Sequence, residues 1–435
     1  MSHIAHPSGF QSVTRREILS WCCYDFANSG FSAVITTVIY SRYFQQQVVE
    51  GDARLGSFLW GIAISLSMLL VGLASPVLGA MADHAAGKKR GLLIFTAVAV
   101  AGTASLWFVL PGAVAAGMAL FIIANVGFSG SFSFYNGFLP EISTRENVGR
   151  ISGLGFALGY IGGLICLALC LPLLSMGAGL GVAGGVRASF VVTAAFYALF
   201  SIPILIWVRE RRKPSAAVSF FALARAGFAR LGRTFSQVKN LGDLFKFLLA
   251  FLLYNDAIET VIFFSPVFAS EVLGFRDEEV LYLFMLVQAS AFVGAWALAG
   301  ITDRVGALKM VAATLVVWIA LVGWAYFIES KAMFWVMALL AGTVLGPCQA
   351  ASRSLMATFT PADRAAEFFG FFSISGKFSA ILGPLVFGWA TWFFGSHRAG
   401  LLSTLVFFAA GMAVLFTVNV EKGSRAALEP AASGS

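Results

Sequence analysis

Again and again along its 435 residues this chain runs apolar for twenty residues or more, and that recurrence decides its solvent. A helix rising about 1.5 Å per residue needs roughly 20 apolar residues to cross about 30 Å of hydrocarbon. Twelve stretches meet that requirement: 18–44, 56–81, 91–110, 113–138, 151–176 and 188–208, then 245–270, 278–300, 308–328, 332–357, 366–393 and 399–420. Hydrophobic residues make up 59% of the chain and charged ones 11%, against roughly 45–50% and 25% in soluble domains. No water-soluble fold has interior enough for that much apolar surface. The expected fold is an all-α membrane protein of twelve transmembrane helices. Disorder, a secreted disulfide scaffold and a cytosolic enzyme are excluded.

Positive charge orients the spans. With the N-terminus inside, 21 of the 29 Lys and Arg fall in cytoplasmic segments, six in the opposite loops, and Arg353 and Lys377 within apolar spans. Both termini are therefore expected in the cytoplasm. The net charge of +8 measures this loop bias and not affinity for nucleic acid. The first seventeen residues are polar, with no removable signal peptide expected. The expected organisation is a cytoplasmic segment at 1–17, bundles at 18–208 and 246–420, a basic linker at 209–245, and a cytoplasmic tail at 421–435. Within the linker Phe221, Phe228, Leu231 and Phe235 recur at near-helical spacing among Arg225, Arg230 and Arg233. That pattern suits a helix lying on anionic lipid; a solvated basic tether is the competing reading. Cys22, Cys23, Cys166, Cys170 and Cys348 lie in apolar runs and read as packing residues. The four histidines lie outside the expected spans, and no metal or other cofactor is expected.

The two halves repeat. Asp83 and Asp303 each follow the second span of their half and are 220 residues apart; Pro140 and Pro361 close the fourth spans at a separation of 221. One offset at two landmarks argues for a duplicated six-helix unit, the arrangement of the two halves of major facilitator transporters. Gly79-Ala-Met-Ala-Asp83 with Lys88-Lys89-Arg90 is similar to that superfamily's loop between its second and third helices, with His84 where an Arg is usual. There an Asp and basic residues lock neighbouring helix ends. Asp83, Lys88, Lys89 and Arg90, and by repeat Asp303 and Arg304, are thus the expected conformational lock.

Ionisable groups at bilayer depth are costly and so are functional candidates. Asp25 and Asn28 are spaced i, i+3 on the first span, with Tyr24 beside them, which puts a polar stripe toward a central cavity. Interhelical hydrogen bonding is the competing reading. Asp256 and Glu259 repeat the spacing on the seventh span. Two close carboxylates do not both hold charge easily in a low dielectric, which suits a proton-coupling pair. Lys377 lies too deep to snorkel and needs a counter-ion or a substrate carboxylate. The glycines before it are wrongly spaced for a phosphate loop and the context is an apolar helix, so ATP binding is rejected. Arg353 and Glu367 form either an inner gate or a static helix-end pair. Ser152, Gly155, Gly159 and Gly163 form a small-residue ridge for close helix packing.

Tyr24-Asp25-Phe26-Ala27-Asn28-Ser29, Phe138-Leu139-Pro140 and the run from Gln349-Ala-Ala-Ser-Arg-Ser354 through Glu367-Phe-Phe-Gly370 to Gly376-Lys377-Phe378 and Gly383-Pro384 carry a resemblance. They resemble the vacuole-effluxer family of the major facilitator superfamily, which includes fungal autophagy-related vacuolar amino-acid exporters. Phe26, Phe31, Tyr40-Ser41 and Ala257 depart from its usual residues. The resemblance implies a secondary transporter of the cytoplasmic membrane, working by alternating access. It further implies export of neutral amino acids or related small solutes, with protons as a candidate coupling ion. The expected partners are that solute, protons and membrane lipid; the expected state is a monomer. A proton-linked permease for sugars or cell-wall fragments, and a multidrug exporter, stay open as alternatives.

Overall fold

The computed structural model describes residues 13–50, 55–56, 59–71, 87–144, 146–175, 182–211, 242–361, 365–378 and 382–427. These residues are helical almost throughout. The first helix, α1 (Arg15–Phe31), opens on a capping box in which Thr14 and Glu17 satisfy each other's backbone N–H groups. Beyond it the pitch widens into π-helical turns at Ser32–Val38, then α2 (Ile39–Tyr43), then a second wide turn at Phe44–Val48. The run Val34-Ile35-Thr36-Thr37-Val38-Ile39 is β-branched at every position, which crowds a regular α-helical turn. There follow α3 (Leu59–Val71), α4 (Lys88–Ser105), α5 (Val114–Asn136), α6 (Leu139–Ile142), α7 (Val148–Ser175) and α8 (Val182–Trp207). The later helices are α9 (Gly242–Leu273), α10 (Asp277–Val305), α11 (Ala307–Ala325), α12 (Lys331–Phe359), α13 (Ala365–Phe378), α14 (Leu382–Phe394), α15 (His397–Leu415) and the short α16 (Val420–Ala426).

Among the described residues nine helices are long and apolar enough to cross a membrane, and each falls on one of the spans expected from sequence. The other three expected spans take different forms. Span 18–44 changes pitch at Ser32, while 56–81 and 366–393 run into residues outside the description. The linker segment around Phe221–Phe235 also lies outside it. Large apolar side chains such as Ile94, Leu199, Phe263, Trp296 and Leu385 are exposed along these helices. A bilayer supplies the apolar cover that water cannot.

The described chain forms two compact units. One holds the residues up to Ile142 with those from Leu158 to Arg211; the other holds Ser143–Ala157 with the residues from Gly242 onward. In lipid, helices associate by close packing of small residues, because hydrocarbon removes the hydrophobic drive between them. In the first unit Gly162 of α7 meets the Phe26 backbone of α1, and Gly102 of α4 meets Ala124 of α5. Of the expected ridge on α7, Gly159 packs on Ser29 and Asp25 of α1; Gly162, which is not in that ridge, makes the closer approach. In the second unit Gly294 of α10 meets the Thr343 backbone of α12, and Gly346 of α12 meets Ala291 and Ala295.

Close approach at Gly294 and open space at Gly300 on the same helix give a test. Gly294→Ala should lower the thermal midpoint of the purified protein by several degrees, since overpacking costs about 1–3 kcal/mol. Gly300→Ala should leave the midpoint unchanged or raise it, because Ala is roughly 1 kcal/mol the better helix former. Equal effects in a thermal melt would overturn this packing account.

Candidate functional site

In the first unit one face of α1 turns toward α5. Trp21 donates its indole N–H to the Tyr135 carbonyl at 3.0 Å, and Phe31 stacks on Phe128 with ring centroids 4.6 Å apart. The Tyr24 hydroxyl lies 2.7 Å from Thr96 Oγ1 and 3.0 Å from Tyr197 Oη, and the residue is fully buried. Its hydroxyl ties α1 to α4 and α8, whose own hydroxyl groups supply the partners. Asp25 and Asn28 are buried as well. The Asp25 backbone backs onto α7 where Gly159 gives it room, and the Asn28 amide nitrogen has no hydrogen-bond partner.

Charge gathers at the N-terminal end of α1 and α4. Lys88 is buried, ion-paired with Glu141 at 2.6 Å, and donates to the Gly137 carbonyl at 3.0 Å. The Lys89 backbone N–H donates to Glu210 Oε1 at 2.5 Å and its ammonium to the Leu205 carbonyl at 2.8 Å. Arg90 is exposed, and Asp83 lies outside the described residues. Glu17 accepts from Arg211 Nη2 at 3.1 Å and from the backbone N–H groups of Thr14 and Arg209 at 3.0 and 3.2 Å. Burial alone would raise the Glu17 carboxyl, but the Thr14 amide, the Arg211 charge and the Arg209 amide together hold it below its ordinary value. Its contribution to stability is present above the ordinary Glu range and is lost as pH falls through that lowered value. Sequence reasoning found Lys88 and Lys89 but missed Glu17, Glu141, Glu210 and Arg211. The signal was there for Glu141, which directly follows Phe138-Leu139-Pro140.

In the second unit the Asp303 carboxylate accepts the Arg150 backbone N–H, both oxygens lying 3.1 Å away. That N–H belongs to the first turn of α7, where the helix presents unsatisfied donors and its positive end. Arg304 is exposed. Arg353 is buried and donates to Ser152 Oγ at 3.0 Å and to the Ser152 carbonyl at 2.8 Å, its guanidinium 4.1 Å above the Phe156 ring. The Glu367 side chain expected beside it lies outside the described positions.

On α9 the residues around Asp256 divide by partner. The Tyr254 hydroxyl sits 2.6 Å from Ser352 Oγ, and Asn255 Oδ1 accepts from Gln349 at 2.9 Å, which joins α9 to α12. Asp256 is 1% exposed, and neither of its carboxylate oxygens has a hydrogen-bond partner. Thr260 one turn further is also buried with an unpartnered hydroxyl, while Glu259 is half-buried. Gly383, in the first turn of α14, packs directly on this group; a Cβ there would stand 3.0 Å from Asp256 Oδ1. Lys377 lies in the last turn of α13, its side chain outside the described positions, and its neighbour Gly376 packs on the Phe251 ring of α9. The two sides of 379–381 therefore meet α9 at Phe251 and at Asp256–Thr260.

The sequence matches the family model described as vacuole effluxer Atg22 like over residues 47–148 and 141–428. The chain belongs to this vacuole effluxer family. YxiO of Bacillus subtilis strain 168, described as an uncharacterized MFS-type transporter, is 30% identical over 412 residues, covering 92% of this chain and 94% of that protein. Autophagy-related protein 22 of Cryptococcus neoformans is 25% identical over 299 residues, 64% of this chain and 54% of the fungal one. Among solved structures, the human organic anion transporter MFSD10 has a TM-score of 0.73 at 15% identity, covering 92% of this chain and 99% of that chain. The proton:xylose symporter XylE also has a TM-score of 0.73, at 13% identity, covering 92% and 95%. This effluxer-family chain is an all-α, multi-pass membrane protein of the major facilitator superfamily. It is a secondary transporter of small solutes and not an enzyme.

The buried Lys88–Glu141 pair yields a double-mutant test. Lys88→Met strands Glu141 and should cost about 3–5 kcal/mol, whereas replacing both by apolar groups of similar size should restore most of it. Lys88→Met with Glu141→Leu should therefore melt well above Lys88→Met alone. Additive losses would show that the two residues are not coupled.

Proposed function

We propose that this transporter exports small neutral solutes, best matched by neutral amino acids, across the cytoplasmic membrane in exchange for protons. Its two bundles, 18–208 and 246–420, would alternate about the basic linker 209–245, with both termini in the cytoplasm and the monomer as the working unit. The observation that carries the coupling is Asp256. A buried carboxyl that no side chain answers, with only the Gly383 backbone against it, is a costly group to keep in an apolar helix. A role in which its proton comes and goes accounts for that cost, and Glu259 one turn away provides a half-buried relay toward water. The family's description as effluxers supports the outward direction, and the resemblance of this chain's motifs to those of vacuolar amino-acid exporters supports amino acids. Asp83, Asp303, Arg353 and Glu367 serve as the lock that opens and closes with each cycle.

Reconstituted protein separates coupling from carriage. Asp256→Asn should reduce solute movement driven by a pH gradient at least tenfold while solute exchange at equal pH persists. PH-driven transport at the wild-type rate in Asp256→Asn would remove Asp256 from the coupling role. Loss of exchange as well would mark it as part of the solute site.

A further inference from the structure

The helices of the first unit carry a second group of buried polar atoms that the coupling role does not use. Along α5, Gly127 and Gly130 pack on Ala99 and Phe95 of α4, while Phe128 and Tyr135 pack on Phe31 and Trp21 of α1. At about 100° per residue a third face is left. Asn125, Ser129, Ser133 and Asn136 stand on it, within an arc of roughly 80°. Asn125 Nδ2 donates to Ser67 of α3 at 2.7 Å, but Asn125 Oδ1, the hydroxyls of Ser129 and Ser133, and Asn136 Oδ1 have no partner. On α1, Asn28 lies between the two contacts that set the register with α5, Trp21 to Tyr135 and Phe31 to Phe128, so it is level with the Ser129–Ser133 turn. Its Nδ2 is unpartnered too. None of the five residues is more than 5% exposed.

Native proteins pair nearly all their buried polar atoms, and lipid leaves less tolerance than water does. Five such atoms in one region, on two helices of one unit, therefore point to a ligand. At the same level Ser32, one turn beyond Asn28, is exposed and Phe132, between the α5 faces, is half-buried. All five residues are uncharged: an amide N–H, two amide carbonyls and two hydroxyls. Asn28, Ser129 and Ser133, at one level, offer a donor and acceptors to a group that carries both, while Asn125 and Asn136 lie about 16 Å apart along α5 on either side of them.

We infer that this region of the first unit binds the polar side-chain end of the solute, selecting carboxamide- or hydroxyl-bearing neutral amino acids over apolar ones of equal size. This rests on the amino-acid reading above and narrows it. A site built to hydrogen-bond its ligand rejects the analogue lacking that group, because its own polar atoms then stay unpaired.

The test compares L-glutamine with L-methionine, close in length but differing in the amide, by thermal stabilisation of the purified full chain. Glutamine should bind at least tenfold more tightly. Ser129→Ala with Ser133→Ala should weaken glutamine at least tenfold and narrow the preference. The same double variant should melt, without solute, no lower than the wild type, since it removes two unpartnered buried hydroxyls. Equal affinity for glutamine and methionine would overturn this inference and leave the amino-acid reading standing. A double variant that melts lower yet keeps glutamine affinity would show the serines to be structural, which also overturns it. If neither these two nor any other neutral amino acid stabilises the protein, both readings fall together.

Discussion

Hydrocarbon offers no hydrogen bonds, and everything distinctive in this chain follows from that. Each backbone N–H and C=O must be answered within its own helix, which is why the described residues are helical almost throughout. Each polar side chain must find a partner inside its bundle, and most do. Tyr24 finds Thr96 and Tyr197, Tyr254 finds Ser352, and Arg353 finds Ser152. The exceptions then become informative. Asp256 with Thr260 in the second unit, and Asn28 with the α5 stripe in the first, are polar groups that the fold leaves unanswered.

Charge obeys the same constraint at the helix ends. Glu17, Lys88, Lys89, Glu141, Glu210 and Arg211 form a nearly closed network that ties the residues after α8 to the starts of α1 and α4 and to α6. Asp303 answers the first turn of α7 in the second unit. Such contacts are strong when whole and costly when broken. That suits elements that must hold one arrangement until a cycle exchanges it for another.

Much of this was legible in the sequence, for physical reasons. Apolar length alone located the nine long helices, because a span has a fixed minimum set by bilayer thickness. The pattern in Tyr24-Asp25-Asn28 put polar groups on α1, and all three are buried there. Tyr24 and Asn28, four apart, share a helix face, and only the neighbouring helices decide that the Tyr24 hydroxyl is satisfied while the Asn28 amide nitrogen is not. The helix-end contacts were half visible: Lys88 and Asp303 sat in a recognisable loop pattern, while Glu17 and Arg211 are 194 residues apart and meet only in the fold. The α5 stripe carries no ionisable group, so the cost of burying charge does not point to it. Its spacing of Asn125, Ser129, Ser133 and Asn136 was nevertheless periodic. What distinguishes it is the missing partner, which sequence does not display.

The most direct test of the account as a whole is solute counterflow. Proteoliposomes holding the purified chain, preloaded with unlabelled L-serine and diluted into a trace of labelled L-serine, contain no ATP and no ion gradient. A carrier that exposes one site alternately to each side should concentrate the label inside transiently, well above protein-free liposomes, and then release it. Label that never rises above the protein-free level, for serine and for every other neutral amino acid, would contradict the account.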